Sequence, residues 1–262
     1  MNAKHNACGH EPHLSVVIPA FNEERRLPAT LDSLRDWLSS QPWTWEIRVV
    51  DDGSEDSTAS VVEERSAKDP RIVLQCERHA GKGATLKAGM LAATGAFRFM
   101  CDADLSMPVG EIPRFLPPRL TGFDVAIGSR EGQGASRIGE PFIRHAVGRI
   151  FNTAIKRIVL GGIEDTQCGF KMFTAASARS IFPLVTVSGW AFDVEVLAIA
   201  RRRGMRIVEV PVEWHYRSES RVSFFRDSPR MFRDLLRIRA RMRRGCYDPP
   251  ARRSPADAPA GE

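Results

Sequence analysis

The chain has 262 residues, 43% of them apolar, enough to bury a full core as one domain or one domain with an appendage, which excludes wholesale disorder. Its formal charge of +6 and pI near 9.4 point to an anionic partner: nucleic acid, a membrane surface or a phosphorylated substrate. Five scattered cysteines, Cys8, Cys76, Cys101, Cys168 and Cys246, form no C-x-x-C pair and fit a reducing compartment.

No apolar run reaches the ~18 residues of a membrane span, because the best candidate, Ile181 to Ala200, carries Asp193 and Glu195. The polar start lacks the apolar segment of a secretory signal. A cytoplasmic protein, peripheral at the inner face of a membrane, is therefore expected. Residues 1–12 are expected to be a disordered arm, and 246–262, rich in Pro, Ala and Arg, a disordered tail. The histidines and cysteine of the arm (His5, Cys8, His10, His13) lack the downstream pair a zinc site needs. Between them, 13–245 is expected to be a single domain, with one half at about 13–130 and a second at 131–245.

In chain order, Leu14 to Ile18 predicts a first strand, stopped by Pro19, and Leu27, Leu31, Leu34 and Leu38 recur at helical spacing. Ile47 to Val50 predicts a second strand ending in Asp51, Asp52 and Gly53, after which Ser57 or Thr58 can cap a helix to about Lys68. Ile72 to Leu74, Ala96 to Cys101 and Val125 to Ile127 predict further strands, with a helix from Lys82 to Ala93 among them. Beyond Arg130 come a helix from Phe142 to about Leu160, a strand near Gly169 to Phe173, a helix from Phe192 to Arg203 and a strand from Arg206 to Val212. The alternation predicts an α/β fold, a mainly parallel sheet flanked by helices. In such sheets ligands sit beyond the carboxyl ends of the strands, where the polar clusters at 19–23, 51–54, 102–104 and 128–130 all fall.

Cys101-Asp102-Ala103-Asp104 runs a buried strand into two carboxylates at i and i+2. In an extended segment these share a face and can share a divalent cation, Mg2+ or Mn2+, that leaves positions for substrate phosphates. An isolated D-x-D is more often a solvated turn; the strand end favours function here. Phe21, Glu23, Asp51 and Asp52 could supply an apolar wall and acceptors for a nucleoside, or simply cap helices. Gly81-Lys82-Gly83 offers amides and a cation to an anion but lacks P-loop spacing. Arg130 and Arg144 suit a phosphate, and either alone could be a surface arginine.

Residues 224–244 place eight arginines against two aspartates. Met231, Leu235, Ile238 and Met242 form one helical stripe, with Phe232 and Leu236 beside it, so the helix can lie on anionic lipid or pack on the domain. No nucleic-acid motif accompanies the charge.

Together, P-A-F-N-E at 19–23, D-D-G-S at 51–54, G-K-G at 81–83, D-A-D at 102–104 and G-S-R at 128–130 resemble the family 2 glycosyltransferases with the GT-A fold. D-T-Q-C-G-F-K at 165–171 and W-A-F-D-V-E at 190–195 are similar to the dolichyl-phosphate β-glucosyltransferase branch; His79-Ala80 departs from it, where relatives tend to have asparagine and arginine. The resemblance implies a nucleotide-sugar donor such as UDP-glucose, a polyprenyl or dolichyl phosphate acceptor, and inversion at the anomeric carbon. It places the metal and diphosphate on Asp102 and Asp104, the donor among Pro19, Phe21, Glu23, Asp51, Asp52, Lys82, Gly83 and Ala103, and the acceptor phosphate near Arg130, Arg144 and Arg221. Asp165 or Asp193 could act as base or orienter if the acceptor were a hydroxyl. A GDP-mannose donor, a glycan-hydroxyl acceptor and a non-catalytic membrane adaptor stay open as alternatives.

Overall fold

The computed structural model describes residues 11–216 and 224–249. Its first half alternates β1 (Leu14–Ala20), α1 (Leu27–Ser39), β2 (Trp45–Asp51), α2 (Thr58–Ser66), β3 (Ile72–Cys76), α3 (Lys82–Ala92), β4 (Phe97–Met100) and β5 (Val125–Ser129). Then follow β6 (Ser136–Ile138), α4 (Phe142–Ile158), β7 (Lys171–Thr174), α5 (Ala175–Ile181), α6 (Phe192–Arg202), β8 (Ile207–Pro211), β9 (Glu213–His215) and α7 (Phe224–Arg243). Seven strands form one sheet in the order β3-β2-β1-β4-β7-β5-β8, while β6 and β9 pair as a separate parallel ribbon. The period-2 pattern had not revealed that ribbon, because three-residue strands carry almost no periodicity.

The strands read as continuous apolar runs because both faces of the sheet are covered. Val16 and Ile18 pack in the layer under α1 and α2, and the intervening Val17 packs in the opposite layer with Leu86, Met90 and α6. Pro19 does not stop β1, which continues to Ala20. Val17 accepts from Cys101 N–H and Ala20 from Asp52 N–H. The missing donor of Pro19 therefore faces the β4 side, beyond the last pair of that ladder, Val17 with Met100, and costs no bond.

β7 is antiparallel to both neighbours and sets its first residue, Lys171, opposite Met100 and Ile127. The loop entering β7 thus reaches the same sheet edge as the loops leaving β1, β2, β4 and β5. Every residue of α6 from Phe192 to Ala200 is buried, Asp193 and Glu195 included. Glu195 is satisfied by Thr186 N–H and Oγ, by Val187 N–H and by the Tyr247 hydroxyl at 2.7 Å. Tyr247, past residue 245 where the domain was expected to end, is itself fully buried in the same core. Among the described residues no helix is long and apolar enough to cross a membrane.

Two local expectations change. The amino end of α2 is served by Asp56, whose Oδ1 accepts from Thr58 N–H at 2.9 Å, and no side-chain cap comes from Ser57. On α7, Met231, Leu235 and Ile238 are buried against the domain, because the stripe meets α6 and α4, while Phe232 and Leu236 beside it remain about half exposed.

Candidate active site

The loops at the shared edge enclose a cleft of about 890 Å3 between the sheet, α4 and α7. From β1, Pro19, Phe21 and Glu23 line it. Phe21 stacks on His79 with ring centroids 4.4 Å apart. Asn22 takes a left-handed φ of 53°, which asparagine tolerates, and its amide oxygen accepts from Glu55 N–H at 2.8 Å, knitting this loop to the one after β2. Glu23 is salt-bridged to Arg26.

The adjacent acids after β2 divide their roles. Asp51 turns inward to Ser54, accepting from its N–H and hydroxyl, and does not line the cleft. Asp52 lines it and accepts from Ala80 N–H at 2.8 Å and Gly81 N–H at 3.0 Å, with His79 Nδ1 3.0 Å from its Oδ2. One carboxylate thereby shapes the loop that starts α3. Gly83 is not in the cleft wall either: a Cβ there would meet Val187 O at 2.4 Å, so the glycine permits close packing of α3 on the 187–192 segment.

Lys82, Asp102, Ala103 and Asp104 meet on the floor. The acid pair sits in a turn rather than an extended segment, with Leu105 N–H reaching Asp102 O at 3.4 Å. Tertiary contacts hold it there: Thr30 Oγ donates to Ala103 O at 2.6 Å, and Asp104 Oδ1 accepts from Ser106 N–H and hydroxyl at 3.0 and 2.8 Å. Lys82 Nζ stands 2.6 Å from Asp102 Oδ1 and 5.2 Å from the Trp190 ring. Burial disfavours both charges, but the pairing outweighs it, so the Asp102 carboxyl lies below its usual range and the Lys82 ammonium above. Gly169 passes directly beneath Asp102, where a Cβ would fall 2.1 Å from Oδ2.

Asp165 is buried, and Arg130 grips it through its backbone N–H at 2.9 Å, Nε at 2.7 Å and Nη2 at 2.9 Å. Burial opposes the charge of Asp165, yet Arg130 holds its carboxyl well below the usual carboxylate range. The guanidinium lies 5.4 Å from the Trp214 ring and remains part of the cleft wall. Asp193 pairs at 2.6 Å with Lys171, which is fully buried; burial raises its carboxyl above the usual value despite Lys171 and Lys82. Burial also raises both thiols, Cys168 to about 11, and neither it nor Cys101 lines the cleft.

Arg144 belongs to α4, but its side chain lies outside the described structure, as does all of Arg221. Residues that line the cleft but were given no individual site role from sequence are His79, Arg137, Trp190 and Trp214, and from α7 Arg230, Arg233 and Arg237. His79, Trp190 and the α7 arginines lie in segments that the sequence did single out, whereas Arg137 and Trp214 carried no such signal.

The family model described as "Glycosyl transferase family 2" matches residues 15–182. The dolichyl-phosphate beta-glucosyltransferase of Dictyostelium discoideum is 35% identical over 249 residues, covering 90% of this chain and 76% of that protein. The human dolichyl-phosphate beta-glucosyltransferase is 33% identical over 249 residues, covering 89% and 77%. Among solved structures, glucosyl-3-phosphoglycerate synthase from Mycobacterium tuberculosis in complex with UDP aligns with a TM-score of 0.62 at 22% identity, over 92% of this chain and 82% of that one. A complex of that synthase with Mn2+, UDP-glucose and phosphoglyceric acid gives 0.60 at 20% identity, over 92% and 81%. These structures are alike in fold. With a mostly parallel sheet whose loops converge on one cleft, a family model spanning β1 to α5 and relatives above 30% identity along nine-tenths of its length, the chain belongs to glycosyl transferase family 2 and has the GT-A architecture.

Proposed function

We propose that the chain transfers glucose from UDP-glucose to a polyprenyl or dolichyl phosphate, with inversion, at the cytosolic face of a membrane. The observation that carries this reading is the meeting of Asp102 and Asp104 with the Phe21–His79 stack and Arg130 in one cleft. The names of the relatives, dolichyl-phosphate beta-glucosyltransferases from several organisms, support the acceptor and the sugar.

In this scheme a phosphate oxygen of the acceptor forms a bond to the anomeric carbon while the bond from that carbon to UDP breaks, UDP taking the electron pair. A phosphate monoester has a second pKa near ~6 and attacks as an anion, so no strong base is needed. That fits Asp165 and Asp193, which are committed to Arg130 and Lys171 and act as orienting groups. Asp52 shapes the loop that bears the donor side, Phe21 stacks the base, and Lys82 neutralises diphosphate charge.

A divalent ion suits the residues present. Asp102 and Asp104 offer hard carboxylate oxygens, and Asp102 already draws a cation, the Lys82 ammonium, to 2.6 Å. Asp102 and Asp104 would hold the ion, leaving its remaining positions to the donor phosphates. When bound, Mg2+ or Mn2+ supplies Lewis-acid stabilisation of the departing diphosphate. The mycobacterial synthase, crystallised with Mn2+ and UDP-glucose, supports this by its fold. The membrane contact is assigned to α7 and the adjoining α4, where Phe142, Ile150, Phe232 and Leu236 stand exposed among arginines.

The test is a screen of radiolabelled UDP-glucose, UDP-galactose and GDP-mannose with and without polyprenyl phosphate. Lipid-extractable label is expected only from UDP-glucose with the lipid and a divalent salt. Label from GDP-mannose alone among the donors, or label only on a glycan acceptor, would replace this assignment.

A further inference from the structure

We propose that the acceptor's phosphate monoester is received by Arg230 and Arg233 of α7; this rests on the lipid-phosphate acceptor proposed above. Among the described residues, the other arginines and the lysine of the cleft wall are already paired. Arg26 meets Glu23, Lys82 meets Asp102, Arg130 meets Asp165, Arg137 meets Glu131 and Arg237 meets Asp234, the longest of these at 3.4 Å. Arg230 and Arg233 line the same cleft, and neither has a carboxylate within ion-pair distance among the described residues. Asp234 feels Arg233 only as a more distant charge.

Their placement is fixed by the burial of Met231, Leu235 and Ile238, which sets the rotation of α7 against the core. Spaced i and i+3, Arg230 and Arg233 are neighbours on one helix face. A phosphate monoester carries nearly two charges at neutral pH, and two guanidinium groups can meet it with paired hydrogen bonds. An arginine already bound to a carboxylate must give up that bond to do the same, whereas these two have no such bond to give up among the described residues. Arg130 has its backbone N–H and two guanidinium donors, Nε and Nη2, committed to Asp165 and is suited to orientation more than capture.

The experiment uses the full chain in nonionic detergent, with labelled UDP-glucose and a polyprenyl phosphate, so that no anionic bilayer contributes. R230A/R233A is expected to raise the KM for the lipid phosphate about tenfold or more, with the KM for UDP-glucose unchanged. K68A/R119A, which removes the same charge from exposed positions outside the cleft and away from α4 and α7, is expected to leave both within twofold. Thermal melting confirms folding, and the single variant Arg233→Gln serves if the double variant is unstable. An unchanged lipid KM in R230A/R233A, an equal rise in both double variants, or a rise in the donor KM instead overturns the assignment. If the wild type glucosylates no lipid phosphate, the acceptor reading fails and this proposal with it; a normal wild type beside an unaffected variant sinks this proposal alone.

Discussion

Lys82 and Asp102 form an ion pair of 2.6 Å that joins the start of α3 to the end of β4 across the cleft floor. The carboxylate proposed to serve the metal is thus pre-ionised and aimed by a fixed positive charge before any ligand arrives. Asp104, two residues on, is held separately by Ser106. Asp102→Ala and Asp104→Ala should each reduce transfer by more than the ~10–100-fold that a partner of a metal ligand is worth, with the far-UV circular dichroism of the folded chain retained; Asp102→Ala, which leaves the Lys82 ammonium without its carboxylate, should melt at a lower temperature. A chelator should silence the wild type, and added Mg2+ or Mn2+ should restore it. Full initial rates in either variant would contradict the role given to the acid pair.

Gly169 offers a test of geometry without loss of charge. A Cβ at this position would lie 2.1 Å from Asp102 Oδ2, so Gly169→Ala must push the carboxylate aside. Displacement of about 1 Å can cost ~100-fold in rate. The expected result is a kcat loss of that order with the far-UV circular dichroism unchanged; equal kcat would mean that the position of Asp102 does not matter.

Arg130 and Asp165 make a two-point, largely buried pairing in the cleft wall. Breaking such a pair by removing one partner costs up to roughly 3 kcal/mol, the low end applying because Arg130 keeps some solvent contact. Asp165→Asn should therefore lower the melting temperature at neutral pH. The folded carboxyl titrates well below its unfolded value near ~4, so the contribution is complete above that value and lost as pH falls towards the folded one. The gap between wild type and variant should stay constant above about pH 5 and shrink below about pH 4. A gap that widened on acidification would refute the assignment.

Tyr247 ties the segment after α7 to α6 through Glu195 at 2.7 Å. Tyr247→Ala should cost about 3–5 kcal/mol, as for other buried aromatics, and Tyr247→Phe about 1–3 kcal/mol by leaving a Glu195 oxygen short of a donor. Ending the chain after Pro249 should preserve the melting temperature, and ending it after Cys246 should lower it by several degrees. Equal melting of the two would place the end of the folded unit before Tyr247.

Much of this was legible along the chain because its carriers are local. A buried parallel strand announces itself as a β-branched run, and an acid placed directly after one falls at a ligand-binding edge whatever the rest of the chain does. Phe21, Asp52, Asp102, Asp104 and Arg130 were found in that way, and all line the cleft. Adjacent residues defeated the same reasoning. Asp51 and Asp52 look alike in sequence, but successive side chains of a strand leave on opposite sides, and only one can face the ligand. Gly83 looked like part of an anion loop, yet its role is set by Val187, 104 positions later.

The sequence by itself determined the succession of strands and helices in the first half, the edge on which the chemistry collects and the family. Those depend on patterns a few residues long. Only the tertiary structure decided which charges are already spent on one another. Lys171 and Asp193, Arg130 and Asp165, and the burial of the α7 stripe arise where distant segments exclude water together, and the free energy of a charge depends on that surrounding dielectric more than on its neighbours in the chain.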